Sequence, residues 1–410
     1  MKVALVARSV FPLHGYGGLE RHVHDLARAL AERDLEVTLI TRPPNGGRHW
    51  SADTIHPAVS ALFVPYRTFP LAGRRGTTVL DRSTAYPIFG LRAGRRALDL
   101  VTEGRADIVH GLGASVLGYA RSRAAAPAPL VFNPQGLEEF GATDPSRAKL
   151  KRVMYLPLRR AVLACAAAAD AVIATDRSLE PVVLQHLRVP RERVRTIPNA
   201  IALGEVDTLT DPVLISDLRR RHGIGGGEAI LLSVGRLEQS KGFHVLLDAL
   251  GALRDHAALS RPWRWICIGD GPHAPALREQ AERLGLGAHV RFAGRVTDAE
   301  THAWYELATL FVHPTLYEGS SLVTLEAMAH RRPIVASRAG GLPDKVHPGE
   351  NGWLVPPGDA AALAGAISGA LSDPARLAAY GRASRVIVER DFSWTAAGDA
   401  TVALYRELLK

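Results

Sequence analysis

Short runs of β-branched and apolar residues alternate along this chain with longer stretches in which apolar positions recur every three or four residues. The short runs predict buried strands and the longer stretches predict amphipathic helices, such as "GLERHVHDLARALAER" and "ALREQAERLG". Six strand-like runs lie in the first half, at 2–7, 36–41, 107–110, 129–133, 171–175 and 194–198. Six more lie in the second half, at 230–235, 265–270, 290–294, 310–314, 333–337 and 352–356.

Repetition of strand, helix and strand predicts an α/β protein with parallel sheets and crossover helices. The pattern lapses in "NAIALGEVDTLTDPVL", so we predict two doubly wound domains, at 1–205 and 206–391. A last helix over about 392–410 is free to pack back on the first domain. Ligands of such sheets bind at the carboxyl ends of the strands, which predicts a site in a cleft between the two domains.

Composition narrows the class of protein. The chain has 410 residues, of which 47% are hydrophobic, which excludes a disordered chain. No apolar stretch reaches the ~18 residues of a membrane span, and the N-terminus lacks the features of a signal peptide. Two distant cysteines, Cys165 and Cys267, indicate neither a disulfide framework nor a metal site. We expect a cytoplasmic protein.

Charge is distributed unevenly. Residues 1–200 hold 28 Lys and Arg against 17 Asp and Glu, and the remainder holds 22 against 24. Much of the excess lies in "GRRG" (73–76), "RAGRR" (92–96) and "KLKRVMYLPLRR" (149–160). A basic half favours contact with anions such as phospholipid, a lipid phosphate or nucleic acid, and ordinary solvated surface stays open as an alternative. The sequence contains no nucleic-acid module, so we predict no nucleic-acid partner. From the basic first half we predict peripheral contact with an anionic membrane.

Two cations follow a predicted strand in "SVGRLEQSKGFHVLLDAL" (233–250). Arg236 and Lys241 stand beside a helix start, with Gly235 allowing close backbone approach. Fixed positive charge near a helix N-terminus suits a diphosphate, although a solvated basic loop has the same pattern. In "VRFAGRVTDAE" Arg295 and Val296 follow another strand, where we predict either a backbone contact to a nucleotide base or plain turn chemistry.

Two glutamates flank the start of a predicted helix in "YEGSSLVTLEAMA". Ser320 or Ser321 suits the N-cap, and the free N–H groups of the first turn can hold an anion. Glu318 precedes this point and Glu326 lies roughly 7–8 Å further along the helix axis. Carboxylates on both sides of a phosphate site fit a nucleotide sugar, since they accept hydrogen bonds from sugar hydroxyls. One loop glutamate and one solvated helix glutamate remain the alternative.

Two strand ends in the first half carry further candidates. The loop "FPLHGYGG" offers Gly17 and Gly18 before a helix, a pattern that also suggests a dinucleotide site. A dinucleotide site requires an acid after the second strand, but that strand ends "LITRPP". His110 ends the strand in "DIVHGLG", where it either binds a sugar hydroxyl or phosphate or is an ordinary buried histidine.

Taken together, these segments resemble the retaining glycosyltransferases of the GT-B fold, family 4, over nearly the whole chain. The resemblance rests on "GGLERHV", "GRLEQSKG", "GDGP", "HPTLYEGSSLVTLEAMA" and "GGLPDKVHPGENGWLVPPGD". It implies two Rossmann-like domains facing a central cleft, the first binding an acceptor and the second a nucleoside-diphosphate sugar with a UDP, GDP or ADP carrier. It also implies transfer with retention at the anomeric carbon and without a required metal or other cofactor.

The resemblance also implies residue roles. Arg236 and Lys241 would hold the diphosphate, Glu318 the donor sugar and Glu326 the ribose. His110 would lie near the sugar, and Gly17 and Gly18 over a phosphate. Backbone contacts to sugar and phosphate would come from three further residues: Ser320, Ser321 and Leu322.

The sequence departs from the family pattern at "EGSS", "NAIA" and "GGLPD", which leaves the donor sugar open. A non-catalytic scaffold of the same fold and an epimerase or phosphorylase of that fold remain alternatives. The acceptor pocket is expected between about 60 and 150, including "NPQGLEEF" (133–140). The base, the acceptor and the oligomeric state are not readable from the sequence.

Overall fold

The structure is a computed structural model that describes residues 1–15, 17–44, 50–67, 78–135, 137–140, 153–254 and 261–410. The chain forms two compact units. The first consists of Met1–Asn199 and Trp394–Lys410, and the second of Ala200–Ser393. The sequence predicted the two boundaries at 205/206 and 391/392, which differ from these positions by six and two residues.

The first unit contains a seven-stranded parallel sheet in the order β3-β2-β1-β4-β5-β6-β7. Its strands are β1 Lys2–Val6, β2 Glu36–Thr41, β3 Val59–Phe63, β4 Ile108–Leu112, β5 Leu130–Asn133, β6 Ala171–Ala174 and β7 Val194–Thr196. Its helices are α1 Gly18–Ala31, α2 Thr78–Thr102, α3 Leu117–Arg121, α4 Leu156–Ala168, α5 Glu180–Leu187 and, at the end of the chain, α14 Trp394–Leu408. The strand order reverses between β1 and β4, where Val3 pairs with Ile108.

The second unit repeats this plan with six parallel strands in the order β10-β9-β8-β11-β12-β13. Its strands are β8 Ala229–Val234, β9 Trp263–Ile268, β10 Val290–Gly294, β11 Leu310–His313, β12 Ile334–Ser337 and β13 Gly352–Val355. Its helices are α6 Leu203–Thr208, α7 Pro212–Arg221, α8 Phe243–Arg254, α9 Ala274–Arg283, α10 Asp298–Leu307, α11 Leu322–Ala329, α12 Ala360–Leu371 and α13 Pro374–Asp391. Here the order reverses between β8 and β11.

Successive apolar side chains along the strands of the second unit point to opposite faces of its sheet, which explains why helices cover both faces. Leu231 and Val312 belong to the apolar cluster on one face, together with residues of α8, α9 and α12. Leu232 and Phe311, one position away, belong to the cluster on the other face with residues of α10, α11 and α13. Successive side chains of a strand point to opposite faces, so a fully apolar strand requires helices on both sides.

All twelve predicted strands are present, and the α/β prediction is confirmed. Among the described residues, the sequence missed one strand, β3 Val59–Phe63. It is an edge strand of the sheet, paired there with β2, and its residues after Val59 are partly or fully exposed. An edge strand with one partner carries a weak apolar signal, which Pro57 and Pro65 on either side weaken further.

The last helix, α14, packs on α1 in the first unit. Arg33 joins the two helices, because its Nε donates to Asp399 Oδ1 at 2.7 Å and its Nη2 donates to the Thr395 carbonyl at 2.8 Å. The buried residues of α14 include Val402 and Tyr405. In the part of the chain that the structure describes, no helix has both the length and the apolar character needed to cross a bilayer.

Candidate active site

The second unit has its strand reversal between β8 and β11, and the segments that follow these two strands lie next to each other. In an open parallel sheet such a reversal leaves a crevice at the carboxyl ends of the strands, where ligands bind. The segment after β8 runs to Gly242, and the segment after β11 runs to the N-cap of α11, Ser321. The Leu316 N–H donates to the Ser240 carbonyl at 2.8 Å, which ties the two segments together.

Three ionisable side chains from these segments meet at one carboxylate oxygen. Lys241 Nζ donates to Glu318 Oε2 at 2.7 Å. His313 is the last residue of β11, and its Nε2 donates to the same oxygen at 2.8 Å. The other carboxylate oxygen, Oε1, accepts the Gly319 backbone N–H at 3.1 Å. The sequence predicted Lys241 and Glu318 as site residues, and the fold brings them into direct contact.

These contacts decide the charge state of Glu318. Burial alone would raise the pKa of its carboxyl group, but the hydrogen bond from His313 and the positive charge of Lys241 together lower that pKa to about 2. Burial also lowers the pKa of His313, against the opposing effect of Glu318. Glu318 is therefore an ionised carboxylate near neutral pH.

Two glycines with positive φ allow the loops of this site to approach so closely. Gly242 has φ +68°, and a Cβ at this position would lie 2.0 Å from the Pro314 carbonyl oxygen. Gly340 has φ +51°, and its Cβ would lie 1.7 Å from the carbonyl oxygen of Glu318. Both positions require glycine for conformation and for space.

Helix α11 begins directly after Glu318. Ser321 occupies the N-cap, but its hydroxyl does not cap the helix; it accepts a hydrogen bond from Thr324 Oγ1 at 2.9 Å and lies 3.4 Å from His313 Nε2. The N–H groups of a first helical turn have no intrahelical partner and favour an anion. Ser320, Ser321 and Leu322, for which the family resemblance implies backbone contacts to the donor, lead from Glu318 into the first turn of this helix.

Glu326 is the fifth residue of α11. Tyr305 Oη, from α10, donates to Glu326 Oε2 at 2.9 Å and also contacts the Val323 carbonyl oxygen at 3.1 Å. Burial, and then the Glu326 charge, raise the pKa of Tyr305 well above its ordinary value, so the phenol stays protonated and remains a donor. This contact fixes the orientation of the glutamate side chain.

The remaining predicted residues of the second unit lie around this cluster. Arg236 is 77% exposed and pairs with Glu238 at 2.5 Å, so it does not join the Lys241–Glu318 pair. The Gly235 N–H donates to the Ile268 carbonyl at 3.0 Å. Arg295 is exposed and Val296 packs on the apolar cluster under α10. Thr297 and Glu300 cap α10 reciprocally, which fixes the position of the loop before it.

A buried lysine lies next to the predicted serines. Lys345 is fully buried, and its Nζ lies 3.3 Å from Ser320 Oγ and 3.3 Å from the Gly341 carbonyl oxygen. The ammonium group also lies 5.3 Å from the centre of the Phe392 ring. A lysine buried this deeply is rare. Here its ammonium group links Gly341 to Ser320, which lies between Glu318 and α11.

The predicted residues of the first unit occupy two different environments. Gly17 is the N-cap of α1 and Gly18 is its first residue, both exposed. His110 is buried, and its Nδ1 lies 2.6 Å from Tyr405 Oη of α14. Burial lowers the pKa of His110 to about 3, which keeps its imidazole neutral.

A cavity of about 250 Å³ lies at the carboxyl end of the first sheet. Residues after β1, β4 and β5 line it together with residues of α2 and α4: Arg8, Leu19, Arg82, Tyr86, Leu112, Gly113, Ala114, Pro134, Gln135, Leu137, Glu139, Leu158 and Val162. Part of the expected acceptor segment, "NPQGLEEF", therefore does line a cavity. The segments 73–76 and 149–152 and residue Gly136 lie outside the described residues.

Sequence reasoning missed His313, Tyr305 and Lys345. His313 had a usable signal, since it ends a buried strand directly before the glutamate loop. Tyr305 and Lys345 had none, because their partners are 21 and 25 positions away along the chain.

Comparison with known proteins agrees with this geometry. The family model described as "Glycosyl transferases group 1" matches residues 228–373, and the one described as "Glycosyltransferase Family 4" matches residues 16–205. The chain is 30% identical to D-inositol 3-phosphate glycosyltransferase 1 of Catenulispora acidiphila, over 96% of this chain and 91% of that protein. It is 29% identical to the glycogen synthase of Mycobacterium tuberculosis, over 99% of this chain and 94% of that protein.

A solved structure shares the fold. The HepE protein of Anabaena, crystallised in complex with UDP, matches 99% of this chain and 100% of its own with a TM-score of 0.74 and 21% identity. The predicted GT-B fold class is thereby confirmed. Family models match both units, and a relative is similar along almost the whole chain. The chain therefore belongs to family 4 of the glycosyltransferases, also described as glycosyl transferases group 1, and is a glycosyltransferase.

Proposed function

We propose that this protein transfers a sugar from a nucleoside-diphosphate sugar to an acceptor hydroxyl with retention at the anomeric carbon. The observation that carries the proposal is the meeting of Lys241, Glu318 and the start of α11 at the reversal between β8 and β11. This arrangement offers a cation, a helix N-terminus and an ionised carboxylate within one loop cluster, which suits the diphosphate and sugar of such a donor.

In this proposal Lys241 and the first turn of α11 bind the diphosphate. Lys241 already neutralises Glu318, so the bound diphosphate shares the lysine with that carboxylate. Arg236 supplies a second cation from the exposed end of the same loop, where its long side chain can exchange Glu238 for a phosphate. The backbone at Ser320, Ser321 and Leu322 contributes N–H groups beside these charges, and Gly235, which has no side chain, allows close approach of the phosphate.

Glu318 and Glu326 bind hydroxyl groups at the two ends of the donor. Glu318 remains ionised because His313 and Lys241 hold its pKa low, and a carboxylate is a strong acceptor for sugar hydroxyls. Glu326, held by Tyr305, accepts the ribose hydroxyls. Arg295 and Val296 contact the base through their backbone, which Thr297 and Glu300 fix by capping α10.

The chemical step needs no protein base in this scheme. The bond between the anomeric carbon and the diphosphate oxygen breaks, and the acceptor oxygen bonds to that carbon on the same face. The acceptor proton passes to the leaving phosphate oxygen, while Lys241 and Arg236 stabilise the charge that develops there. Gly17 and Gly18 lie over a phosphate and His110 lies near the sugar in this proposal, although His110 can act only through its neighbours while it stays buried.

The names of the relatives point to different acceptors. One relative is a glycogen synthase and another is a D-inositol 3-phosphate glycosyltransferase, so similarity alone does not select the acceptor. The HepE structure contains UDP, which makes UDP the first carrier to examine here.

Calorimetric titration with UDP, GDP and ADP, in EDTA and in Mg²⁺, tests the donor site. We expect one carrier to bind without metal and the other two to bind at least about tenfold more weakly, since one lost hydrogen bond to a base costs about that much. Binding of none of them would contradict the proposal. Anomeric proton couplings of the product then distinguish retention from inversion.

Release of the nucleoside diphosphate separates the alternatives. A glycosyltransferase releases it in proportion to the acceptor supplied. A scaffold of the same fold releases none with any acceptor, and an epimerase changes the sugar while the diphosphate bond stays intact. A phosphorylase consumes inorganic phosphate and leaves the nucleotide unused.

A further inference from the structure

Three polar residues of α10 share one face of that helix. His302, Tyr305 and Glu306 stand at positions i, i+3 and i+4, which an α-helix places next to each other on one side. Tyr305 is fully buried, His302 is 8% exposed and Glu306 is partly buried. Polar side chains buried between helices take hydrogen-bond partners from a neighbouring element, so the partners of these three show what the face is for.

Helix α11 supplies these partners one turn apart. His330 is its C-cap, and the His330 backbone N–H donates to the Glu326 carbonyl oxygen at 3.1 Å. Tyr305 donates to the Glu326 carboxylate. His330 is 1% exposed and lies against His302 and Glu306. These five residues form a continuous polar seam between the two helices.

Both ring nitrogens of His330 are engaged in this seam. Nδ1 lies 2.7 Å from Glu306 Oε1, and Nε2 lies 2.7 Å from His302 Nδ1. Hydrogen bonds at an imidazole nitrogen lie close to the ring plane, because the N–H bond and the lone pair both lie in that plane. Two such bonds from different sides of one ring prevent it from rotating, so they fix the plane of the His330 ring.

Glu306 is held as an acceptor by its own neighbours. Burial would raise the pKa of its carboxyl group, but the hydrogen bond from His330 and the charge of Arg332 lower that pKa. An ionised carboxylate only accepts hydrogen bonds, so Nδ1 of His330 is the donor. Arg332 Nη2 lies 3.4 Å from Glu306 Oε2, and its Nη1 donates to the Ala308 carbonyl at 2.7 Å, which fixes the carboxylate in turn.

The ring of His330 lies parallel to the ring of Tyr305. The two ring centres are 5.4 Å apart and the planes differ by 8°, which is an offset-stacked arrangement. A buried flat ring cannot tilt away from such a neighbour without losing the contact, so the plane of His330 sets the plane of Tyr305. The phenol oxygen lies in that plane and donates to Glu326 Oε2 at 2.9 Å.

We propose that His330 is a positioning residue for Glu326, acting through Tyr305, and that it thereby sets the preference of the donor site for a carrier with ribose hydroxyls. The inference rests on the proposed function, in which Glu326 accepts those hydroxyls. His330 is buried one turn beyond Glu326 and makes no contact of its own with the donor. Its effect is therefore confined to the part of the affinity that depends on the ribose hydroxyls.

Calorimetry with two ligands that differ only in these hydroxyls tests the inference. UDP and 2′,3′-dideoxy-UDP are the pair, with the guanine or adenine pair in their place if GDP or ADP is the carrier. In the wild type we expect the ribose compound to bind about tenfold to a hundredfold more tightly, because a carboxylate contact is lost in its partner. In His330→Ala we expect this ratio to fall about threefold to tenfold, with unchanged affinity for the dideoxy compound.

His222→Ala is the matched control. His222 is the C-cap of α7 and packs on Trp304 of α10 with ring centres 4.9 Å apart, so the variant removes an equivalent ring from the same helix. It is expected to keep the wild-type ratio. An unchanged ratio in His330→Ala, or an equal fall in both variants, overturns the inference. A loss in His330→Ala that is the same for the two ligands also overturns it, because general loosening of the unit has that effect.

A double-mutant cycle with Tyr305→Phe tests the route. Tyr305→Phe removes the hydroxyl group that binds Glu326, so it is expected to lower the ratio by itself. Since His330 acts through Tyr305, His330→Ala should cause no further fall in the Tyr305→Phe background, and fully additive falls contradict the route. If His330→Ala does not fold, His330→Gln replaces it in both measurements, because its amide keeps a polar group in the seam but removes the ring from Tyr305.

The wild-type titrations separate this inference from the proposed function. If no carrier binds, or if the two ligands of a pair bind equally, the ribose assignment of Glu326 fails and this inference fails with it. If the wild type prefers the ribose compound and Glu326→Gln abolishes that preference, the proposed donor site stands. The His330 variants then decide this inference alone.

Discussion

Two basic residues of one loop have the same proposed partner but different surroundings. Lys241 is tied to Glu318, whereas Arg236 is 77% exposed and paired with Glu238. We nevertheless expect both to stabilise the leaving diphosphate, because an exposed arginine side chain has the length and freedom to reorient.

Lys241→Ala and Arg236→Ala are each expected to lower kcat/KM by roughly a hundredfold or more, as is typical for removal of a charge-stabilising group. Steady-state release of the nucleoside diphosphate is the measurement. Arg376→Ala serves as the control, because Arg376 pairs with Asp373 on the surface of the same unit. Full activity in both variants would remove the two residues from the diphosphate site.

Glu326 offers a cleaner test of binding than of catalysis. Glu326→Gln keeps the shape of the side chain and loses a charge-assisted contact, so nucleotide affinity should fall by about 1.5–3 kcal/mol. Calorimetric titration of the nucleoside diphosphate measures the change. An unchanged affinity would rule out the ribose assignment, and Glu350→Gln, at an exposed position beside His347, should leave affinity unaltered.

The low pKa of Glu318 makes stability depend on pH in a defined window. Its pKa is about 2 in the folded protein, below the 4.5 of an unperturbed glutamate. The unfolded chain therefore binds a proton first, so this contribution is complete above about pH 4.5 and disappears as the pH falls towards 2. A difference of this size corresponds to roughly 3 kcal/mol.

We expect the free energy of unfolding to fall more steeply with acid in the wild type than in Glu318→Gln. Urea denaturation from neutral pH down to about 3 gives the two curves. Parallel curves would show that the contacts of Glu318 with Lys241 and His313 do not lower the pKa of its carboxyl group in solution.

At the scale of elements, α14 completes the first unit although nearly two hundred residues separate it from the rest of that unit. Its polar anchors include Arg33, just after α1, which binds Asp399, and Tyr405, which binds His110. The second contact is buried at both ends. Burial keeps both groups neutral, so this contact is a hydrogen bond between an uncharged imidazole and an uncharged phenol.

Tyr405→Phe is expected to lower the free energy of unfolding by roughly 1–3 kcal/mol, since it leaves a buried ring nitrogen of His110 without its hydrogen-bond partner. Chemical denaturation measures the change. Tyr380→Phe is the matched control, because Tyr380 is only partly buried and packs beside Trp353 with ring centroids 4.9 Å apart. Equal effects in the two variants would mean that the Tyr405–His110 hydrogen bond adds nothing of its own.

At the scale of the whole molecule, net charge divides along the unit boundary. Lys and Arg exceed Asp and Glu by 11 in the first unit, whereas the second unit has an excess of two acids. A positive unit of this size is attracted to anionic lipid within about a Debye length of the surface.

The protein is expected to sediment with vesicles containing phosphatidylglycerol at low ionic strength and to be released as salt rises. Neutral phosphatidylcholine vesicles are the control. Sedimentation that depends on neither lipid charge nor salt would refute peripheral attachment through the basic unit.

Local patterns along the chain were sufficient for the elements and for half of the candidate site. Runs of apolar residues mark buried strands wherever both faces of the sheet are covered, so twelve of the thirteen strands in the described residues and the fold class could be predicted. Lys241, Glu318 and Glu326 could be identified because each stands at a strand end or a helix start, where position alone suggests a role. The edge strand β3 escaped because one partner and partial exposure leave little apolar signal.

Contacts between distant residues were decided only by the tertiary structure. The pairing of Lys241 with Glu318, 77 positions apart, sets the charge of the carboxylate, and Tyr305 orients Glu326 from another helix. Arg8 and Gln135 follow β1 and β5 and line one cavity because parallel strands bring their carboxyl ends to one edge, and α2 adds Arg82 to the same cavity. Sequence determines which residues prefer strand or helix because that preference is local, whereas ionisation and ligand chemistry depend on neighbours that only the folded chain supplies.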